Sequence, residues 1–478
     1  MTATASNGVL SFPDGFAWGA ATAAYQIEGA ARADGRGVSC WDTFSHTPGK
    51  VRGGDTGDVA CDSYHRYRDD VALMASLGLN SYRFSVSWPR VQPGGTGPVN
   101  QRGLDYYKSV LDELASHNIN AAVTLYHWDL PQELQDSGGW ANRETAERFA
   151  EYATIVGEAL GDRVVRWITL NEPQVVAENG YRTGRHAPGL NDNAAATATT
   201  HHLLLGHGLA AQALRAAGAA EVGITLDLHP VRVLGEGAGL QQAADIADAE
   251  LNGLYLDPLL RGSYPEVASP ELTPSADLIR DGDLATINQP LDFLGVNYYA
   301  PLFLRAGDPA DLRRSEEPAR GGVPGVVGYR PDTLERTPMG WLIDPDGLYE
   351  LLLRLHGEAP GLPLYITENG CAAEDYVNPD GVVNDVERVI YLHEHLGAAA
   401  RAIKAGVNLA GYYVWSLLDN FEWGWGYQKR FGIIFVDFGT QQRIPKQSSR
   451  FYSEVVRSGT LPAEAPATRS LAGTSTPT

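Results

Sequence analysis

The chain has 478 residues, of which 44% are hydrophobic and 20% charged, the composition of an ordinary globular protein with a sizeable core. A formal net charge of −21 disfavours nucleic acid and anionic membrane surfaces as partners, since both would be repelled. Cys40, Cys61 and Cys371 form no Cys-x-x-Cys pair, residues 1–10 lack a basic or long apolar run, and no stretch approaches about 18 uninterrupted apolar residues, so a soluble protein of the reducing cytoplasm is expected.

In chain order, residues 1–11 read as a flexible N-terminus. Small residues between Phe16 and Tyr25 suit a first strand, with Gln26 and Glu28 at its mouth. After a Gly-rich acidic loop at 53–58, Tyr64, Tyr67, Val71, Met74 and Leu77 recur at helical spacing and stop at Gly78. A strand at 81–88 carries Arg83. A helix at 101–117 leads to a strand at 121–128 that ends on His127 and Trp128. The alternation continues through a helix near 143–160, a strand at 165–170 running into Asn171-Glu172-Pro173, and a helix near 194–216. Then come a strand at 222–228, a helix near 239–259, a strand at 293–299, a helix near 346–357 and the strand at 364–370. A helix near 385–405 and a strand at 409–417 complete eight strands.

Eight strands alternating with helices predict right-handed βαβ units and closure into a (β/α)8 TIM barrel, one α/β domain over 12–458 with long βα loops. The competitor is an open doubly wound sheet, but no Gly-x-Gly-x-x-Gly follows the first strand. Residues 300–341 are rich in Gly, Pro and charge with few strand or helix signals, which suggests a rim or lid. The last stretch, 461–478, is dominated by Pro, Ala, Thr and Ser and is expected to be disordered.

The stretch 364–370 carries a short apolar run onto Glu368 and then onto two turn-forming residues, Asn369 and Gly370. A carboxylate at a strand end is either a structural ion pair or part of a site. Other strands end in residues suited to a sugar: Gln26, His127, Trp128, Asn171 with Glu172, Asn297 with Tyr299, and Trp415 leading to Glu422 and Trp423. In a barrel these ends share one face, and two glutamates there can serve as acid and nucleophile for glycosidic-bond cleavage.

Thr169-Leu-Asn-Glu-Pro173 and Ile366-Thr-Glu-Asn-Gly370 resemble the two glutamate signatures of glycoside hydrolase family 1, the retaining β-glucosidases and their relatives. The resemblance runs from Phe12 to about Tyr452 and includes Tyr25-Gln-Ile-Glu-Gly29, Tyr82-Arg-Phe-Ser85, Tyr126-His-Trp-Asp-Leu-Pro131, Asn297-Tyr-Tyr299 and Trp415-Ser-Leu-Leu-Asp-Asn-Phe-Glu-Trp423. It implies that Glu172 is the general acid/base and Glu368 the nucleophile, with Arg83 beside the nucleophile and Asn171 on the sugar 2-hydroxyl. Gln26, His127, Trp128, Trp415, Glu422 and Trp423 resemble glycone contacts. Tyr299 resembles the tyrosine bonded to the nucleophile, with Asn297 nearby, and Trp341 an aromatic platform for the leaving group. The resemblance implies no cofactor and a small β-glucoside or cello-oligosaccharide substrate, extending to β-galactosides and β-fucosides.

Three alternatives stand beside this reading. A 6-phospho-β-glucosidase of the same family resembles a pattern with a small polar residue at the Glu422 position, and an anionic Glu422 would repel a phosphate. A non-catalytic carbohydrate-binding barrel would need no glutamate couple. A metal-dependent hydrolase would need His and carboxylate ligands at the strand ends, where only His127 qualifies. His201, His202, His207, His393 and His395 lack a His-Glu-x-x-His arrangement and are placed on helix surfaces or interfaces, so no metal is assigned. Cys371 is expected to be a packed neutral thiol. Asp227 stands on the fifth strand where relatives often have Asn.

Overall fold

In a computed structural model, residues 10–308, 316–318 and 322–465 are described. Their centre is a closed barrel of strands β1 (Ala17–Ala21), β2 (Ser81–Ser85), β3 (Asn120–Tyr126), β4 (Arg166–Asn171), β5 (Val222–Asp227), β6 (Phe293–Asn297), β7 (Leu364–Asn369) and β8 (Leu409–Trp415), each parallel to the next, with β8 returning to β1. This is the (β/α)8 fold. The strands are near-continuously buried, as they must be with side chains packed in the lumen and helices outside.

The outer helices alternate with the strands: α1 (Ser63–Leu77), α2 (Gln101–Ser116), α3 (Glu144–Leu160), α4 (Asn193–Ala216), α5 (240–261), α6 (Pro345–Glu358), α7 (Val386–Lys404) and α8 (Gln447–Ser458). Their ends follow local chemistry. Gly78 closes α1 at φ 80°, a left-handed position that costs glycine nothing. Asp192 and Asp344 accept hydrogen bonds from the backbone of Ala195 and Gly347 to start α4 and α6. The helix α5 is interrupted by a π segment, Ala249–Gly253, and a second π segment, Val176–Arg182, follows the end of β4.

Four expectations change. The first strand stops at Ala21, and Gln26 sits in a short helix, Ala24–Ile27. Glu28 faces no site: it is buried against Arg90 Nε at 2.8 Å and the Tyr107 hydroxyl at 2.7 Å. The 300–341 segment is not structureless. Leu302–Ala306 pairs with Val231–Leu234 and Val326–Tyr329, and Glu316–Pro318 adds to the edge of this four-stranded sheet; its pairing partner at 231–234 is remote in sequence, so no local signal announces it. Residues 10–11, expected to be flexible, pair with 460–461, since Leu461 is buried and offers Leu10 an apolar partner. Residues 466–478, most of the expected tail, lie outside the described residues, as do 1–9.

Behind the β7 and β8 ends lies a buried ionic network. Arg388 pairs with Asp375 at 2.7 Å and with Asp385; Lys446 pairs with Asp375 and Asp419, both at 2.6 Å; Arg430 reaches Asp419 at 2.7 Å. Removing one member strands charge in a low dielectric. Lys446→Met is therefore expected to cost about 3 kcal/mol, read as a lower urea midpoint with unchanged slope.

Candidate active site

The C-terminal ends of the barrel strands open onto a cavity of about 1020 Å³. His127, Trp128, Glu172, Tyr299, Trp341, Glu368, Trp415, Glu422 and Trp423 line it. Gln26, Arg83, Asn171 and Asn297 are buried just behind that wall. The barrel thus gathers into one place the residues that the family resemblance assigned to the site, whereas Glu28 stands outside it.

Arg83 is the centre of the polar network. From β2 it donates to Thr124 on β3 at 3.3 Å, to Asn171 Oδ1 at the end of β4 at 2.6 Å, and on β7 to the Thr367 carbonyl at 3.1 Å and Glu368 Oε1 at 2.6 Å. The other oxygen, Glu368 Oε2, accepts from the Tyr299 hydroxyl at 2.7 Å. Both partners favour the carboxylate. Burial raises the Glu368 pKa, and Arg83 and Tyr299 oppose that rise.

Glu172 has no cation of its own. Oε1 accepts from Asn297 Nδ2 at 2.6 Å, and burial first, then the charges of Glu368 and Asp227, hold its pKa well above the ordinary glutamate value. Two buried carboxyl groups therefore sit in opposed settings, so that Glu368 ionises first and Glu172 keeps its proton. Asn297 serves this arrangement from behind: its two amide hydrogens go to Asn171 and Glu172, and its oxygen accepts from Thr367 at 2.8 Å.

The tautomer of His127 follows from its neighbours. Asn171 Oδ1 is committed to Arg83, so its Nδ2 faces His127 Nε2 at 3.1 Å, and that nitrogen accepts. Burial and Arg83 keep the ring neutral, which puts its proton on Nδ1, a buried atom with no protein partner. Gln26 gives Nε2 to the Phe421 carbonyl at 2.9 Å and leaves Oε1 unpartnered; Glu422 Oε2 is likewise buried and unpartnered. His127 Nδ1, Gln26 Oε1 and Glu422 Oε2 are thus three polar atoms suited to a polyhydroxylated ligand, in a site that also holds the rings of Trp415 and Trp423.

Burial and the nearby Glu368 push the Glu422 carboxyl up to about 8. Cys371 is buried with its thiol pushed up to about 12 by desolvation, a packed neutral group as expected. His201, His202, His207 and His395 are buried; His201 contacts Asp283 at 2.9 Å and His207 contacts Thr169 at 2.7 Å.

Several parts were not legible in advance. Asn369 and Gly370 do not make a turn. Asn369 ends β7, donating to the Tyr298 carbonyl at 2.7 Å and accepting from Tyr412 at 2.6 Å, which clamps the strand that carries Glu368 between its neighbours. A Cβ at Gly370 would lie 1.8 Å from the Trp415 carbonyl. Trp128, Glu172 and Trp423 hold φ of 78°, 48° and 47°, left-handed conformations that non-glycine residues keep only where surroundings enforce them. Gln174 and His229 also line the cavity; the signal that could have found them is their position just past the ends of β4 and β5.

Comparison with known proteins agrees with this geometry. Residues 9–460 match the profile of glycosyl hydrolase family 1. The chain is 54% identical over 452 residues to a thermostable beta-glucosidase B of Thermobispora bispora, covering 94% of this chain and 91% of that protein. It is 46% identical over 459 residues to a bifunctional beta-D-glucosidase/beta-D-fucosidase of Bifidobacterium breve, covering 94% and 98%. Among solved structures, the family 1 β-glucosidase of Thermotoga maritima in complex with isofagomine lactam superposes with a TM-score of 0.88 at 46% identity, covering 95% of this chain and 100% of that one.

Proposed function

The chain belongs to glycosyl hydrolase family 1, and from that premise we propose that it is a β-glucosidase in which Glu368 is the nucleophile and Glu172 the acid/base of a retaining double displacement. The observation that carries the assignment is the opposed setting of the two buried carboxyl groups: one against a guanidinium and a phenol, the other against a neutral amide. Glu368 attacks the anomeric carbon while Glu172 gives its proton to the departing oxygen, forming a covalent glycosyl-enzyme. Glu172 then removes a proton from water, which attacks the same carbon and restores Glu368. Asn171 is assigned to the 2-hydroxyl, and Gln26, His127 and Glu422 to the remaining glycone hydroxyls. Trp128, Trp415 and Trp423 shape the glycone wall, and Trp341 flanks the leaving group.

The substrates are terminal, non-reducing β-D-glucosyl residues of β-glucosides and cello-oligosaccharides, extending to β-fucosides and β-galactosides; the printed name of the Bifidobacterium relative supports the fucoside part. Residues 12–458 act as one catalytic unit, supported by the closed barrel. Among the described residues no helix is long and apolar enough to cross a membrane. A cytoplasmic location is proposed on the three cysteines, each free and buried.

A panel of aryl β-glucoside, β-galactoside, β-fucoside, β-xyloside and 6-phospho-β-glucoside, ranked by kcat/KM, tests the substrate assignment. The glucoside or fucoside is expected to lead; a leading 6-phosphoglucoside would overturn it. Tyr299→Phe removes a donor to the Glu368 carboxylate and so makes ionisation less favourable. Its acidic limb of kcat/KM against pH is expected to move upward by about one unit, with the basic limb, set by Glu172, displaced less.

A further inference from the structure

The cavity wall carries cations that the mechanism above does not use. Lys50, Arg52 and Arg185 line it, and all three are exposed. Their loops meet at one corner. A Cβ at Gly189 would lie 3.4 Å from Lys50 Nζ, and one at Gly424 would lie 3.6 Å from the Arg185 carbonyl oxygen. The next residue, Trp425, offers its ring to Arg52, whose guanidinium carbon lies 3.7 Å from the ring centroid.

None of these cations forms an ion pair among the described residues. Arg185 gives Nε to the Thr183 hydroxyl at 3.2 Å and a terminal nitrogen to Asn179 Oδ1 at 2.8 Å, both neutral acceptors. Lys50 Nζ lies 5.4 Å from the centroid of the Phe44 ring. Arg52 is held by a ring face, which supplies no oxygen acceptor, so its planar fork of N–H donors stays open toward solvent and cavity. The carboxylates Glu178, Asp227 and Glu250, which share the cavity, are each engaged elsewhere: with Arg182 at 3.0 Å, with His229 at 3.0 Å and with the Ser269 hydroxyl.

The chain has 58 Asp and Glu against 37 Lys and Arg, so a cation seldom lacks a carboxylate to pair with. Three that stand together without one repel each other and call for an anion from outside. An aromatic face beside an open guanidinium suits an aryl carboxylate, which can lie against the ring and take the fork with both oxygens. We propose that Lys50, Arg52 and Arg185, with Trp425, form an anion-reading corner of the cavity that favours β-glucosides whose phenolic leaving group carries a carboxylate. The proposal rests on the β-glucosidase reading.

The test compares acid with methyl ester in two pairs of substrates, the β-glucosides of 4-hydroxybenzoate and of 4-hydroxyphenylpropanoate, which place the carboxylate at two distances from the scissile bond. The readout is the ratio of kcat/KM for the acid to that for its ester, measured on one preparation so that the folded fraction cancels. Differences in leaving-group reactivity are common to every variant, so only a change in the ratio counts. In Arg52→Leu with Lys50→Met the ratio is expected to fall about tenfold in at least one pair, the loss of charge-assisted hydrogen bonds at a solvated site. Arg52→Lys, which keeps the charge, should hold it within about threefold. In the parent the same ratio should fall as potassium chloride rises from about 0.02 to 0.5 M, because exposed charges are screened, and the double variant should show no such slope. A parental ratio in both pairs of the double variant overturns the proposal, and so does a parental ratio that ignores salt. If the parent cleaves neither acid nor ester, the functional reading itself has failed; if it cleaves the esters and the ratios never move, only the anion-reading corner has.

Discussion

Glu368→Ala is expected to lower kcat on 4-nitrophenyl β-glucoside by roughly 10⁶-fold, the scale seen when a covalent nucleophile is deleted. The loss is large because no other group can take its place: Arg83 and Tyr299 only bond the carboxylate, and Glu172 holds a proton. Removing the side chain also opens a small space beneath the anomeric carbon. Azide can occupy it and attack from the face opposite the leaving group, so partial rescue with α-glucosyl azide as product is expected. Nuclear magnetic resonance of the anomeric proton identifies that product. Full activity in the variant, or a β-configured azide, would contradict the nucleophile assignment.

Glu172→Ala separates the two steps. Without an acid, kcat/KM for an alkyl β-glucoside is expected to fall about 10²–10⁴-fold, whereas a dinitrophenyl glucoside, whose leaving group departs unprotonated, should lose about tenfold or less. The kcat for the dinitrophenyl substrate falls further, since the glycosyl-enzyme now lacks a base for its water. Azide needs no base, and it should raise that kcat and yield β-glucosyl azide. The two variants thus give azides of opposite configuration. Equal losses on both substrate classes would remove Glu172 from the acid role.

Much of this was written in the chain. Local sequence signals placed the eight strands and seven of the eight outer helices, missing Gln447–Ser458, and the strand-end position of Glu172 and Glu368 is a local property that a barrel turns into proximity. What stayed hidden depends on partners remote in sequence. The sheet at 302–329 is completed by 231–234. The bonds of the Asn297 amide to Asn171 and Glu172 join residues far apart in the chain. Asn369 and Gly370 have turn-like composition, yet one clamps strands and the other yields to the Trp415 carbonyl. The charge of Glu422 could not be read from its residue type, because burial sets it.

Arg83 touches β3, β4 and β7 from β2, and it is 1% exposed. One side chain is therefore both a brace across the barrel lumen and the counter-charge of the reaction. Glu172 and Glu368 stand at strand ends, while other parts of the cavity wall come from π-helical segments and loops outside the strands. This division makes the molecule a favourable starting point for redesign. Grafting a new loop over 176–186 is expected to reorder the kcat/KM ranking of leaving groups while the acid and nucleophile proposed above keep their setting in the frame beneath.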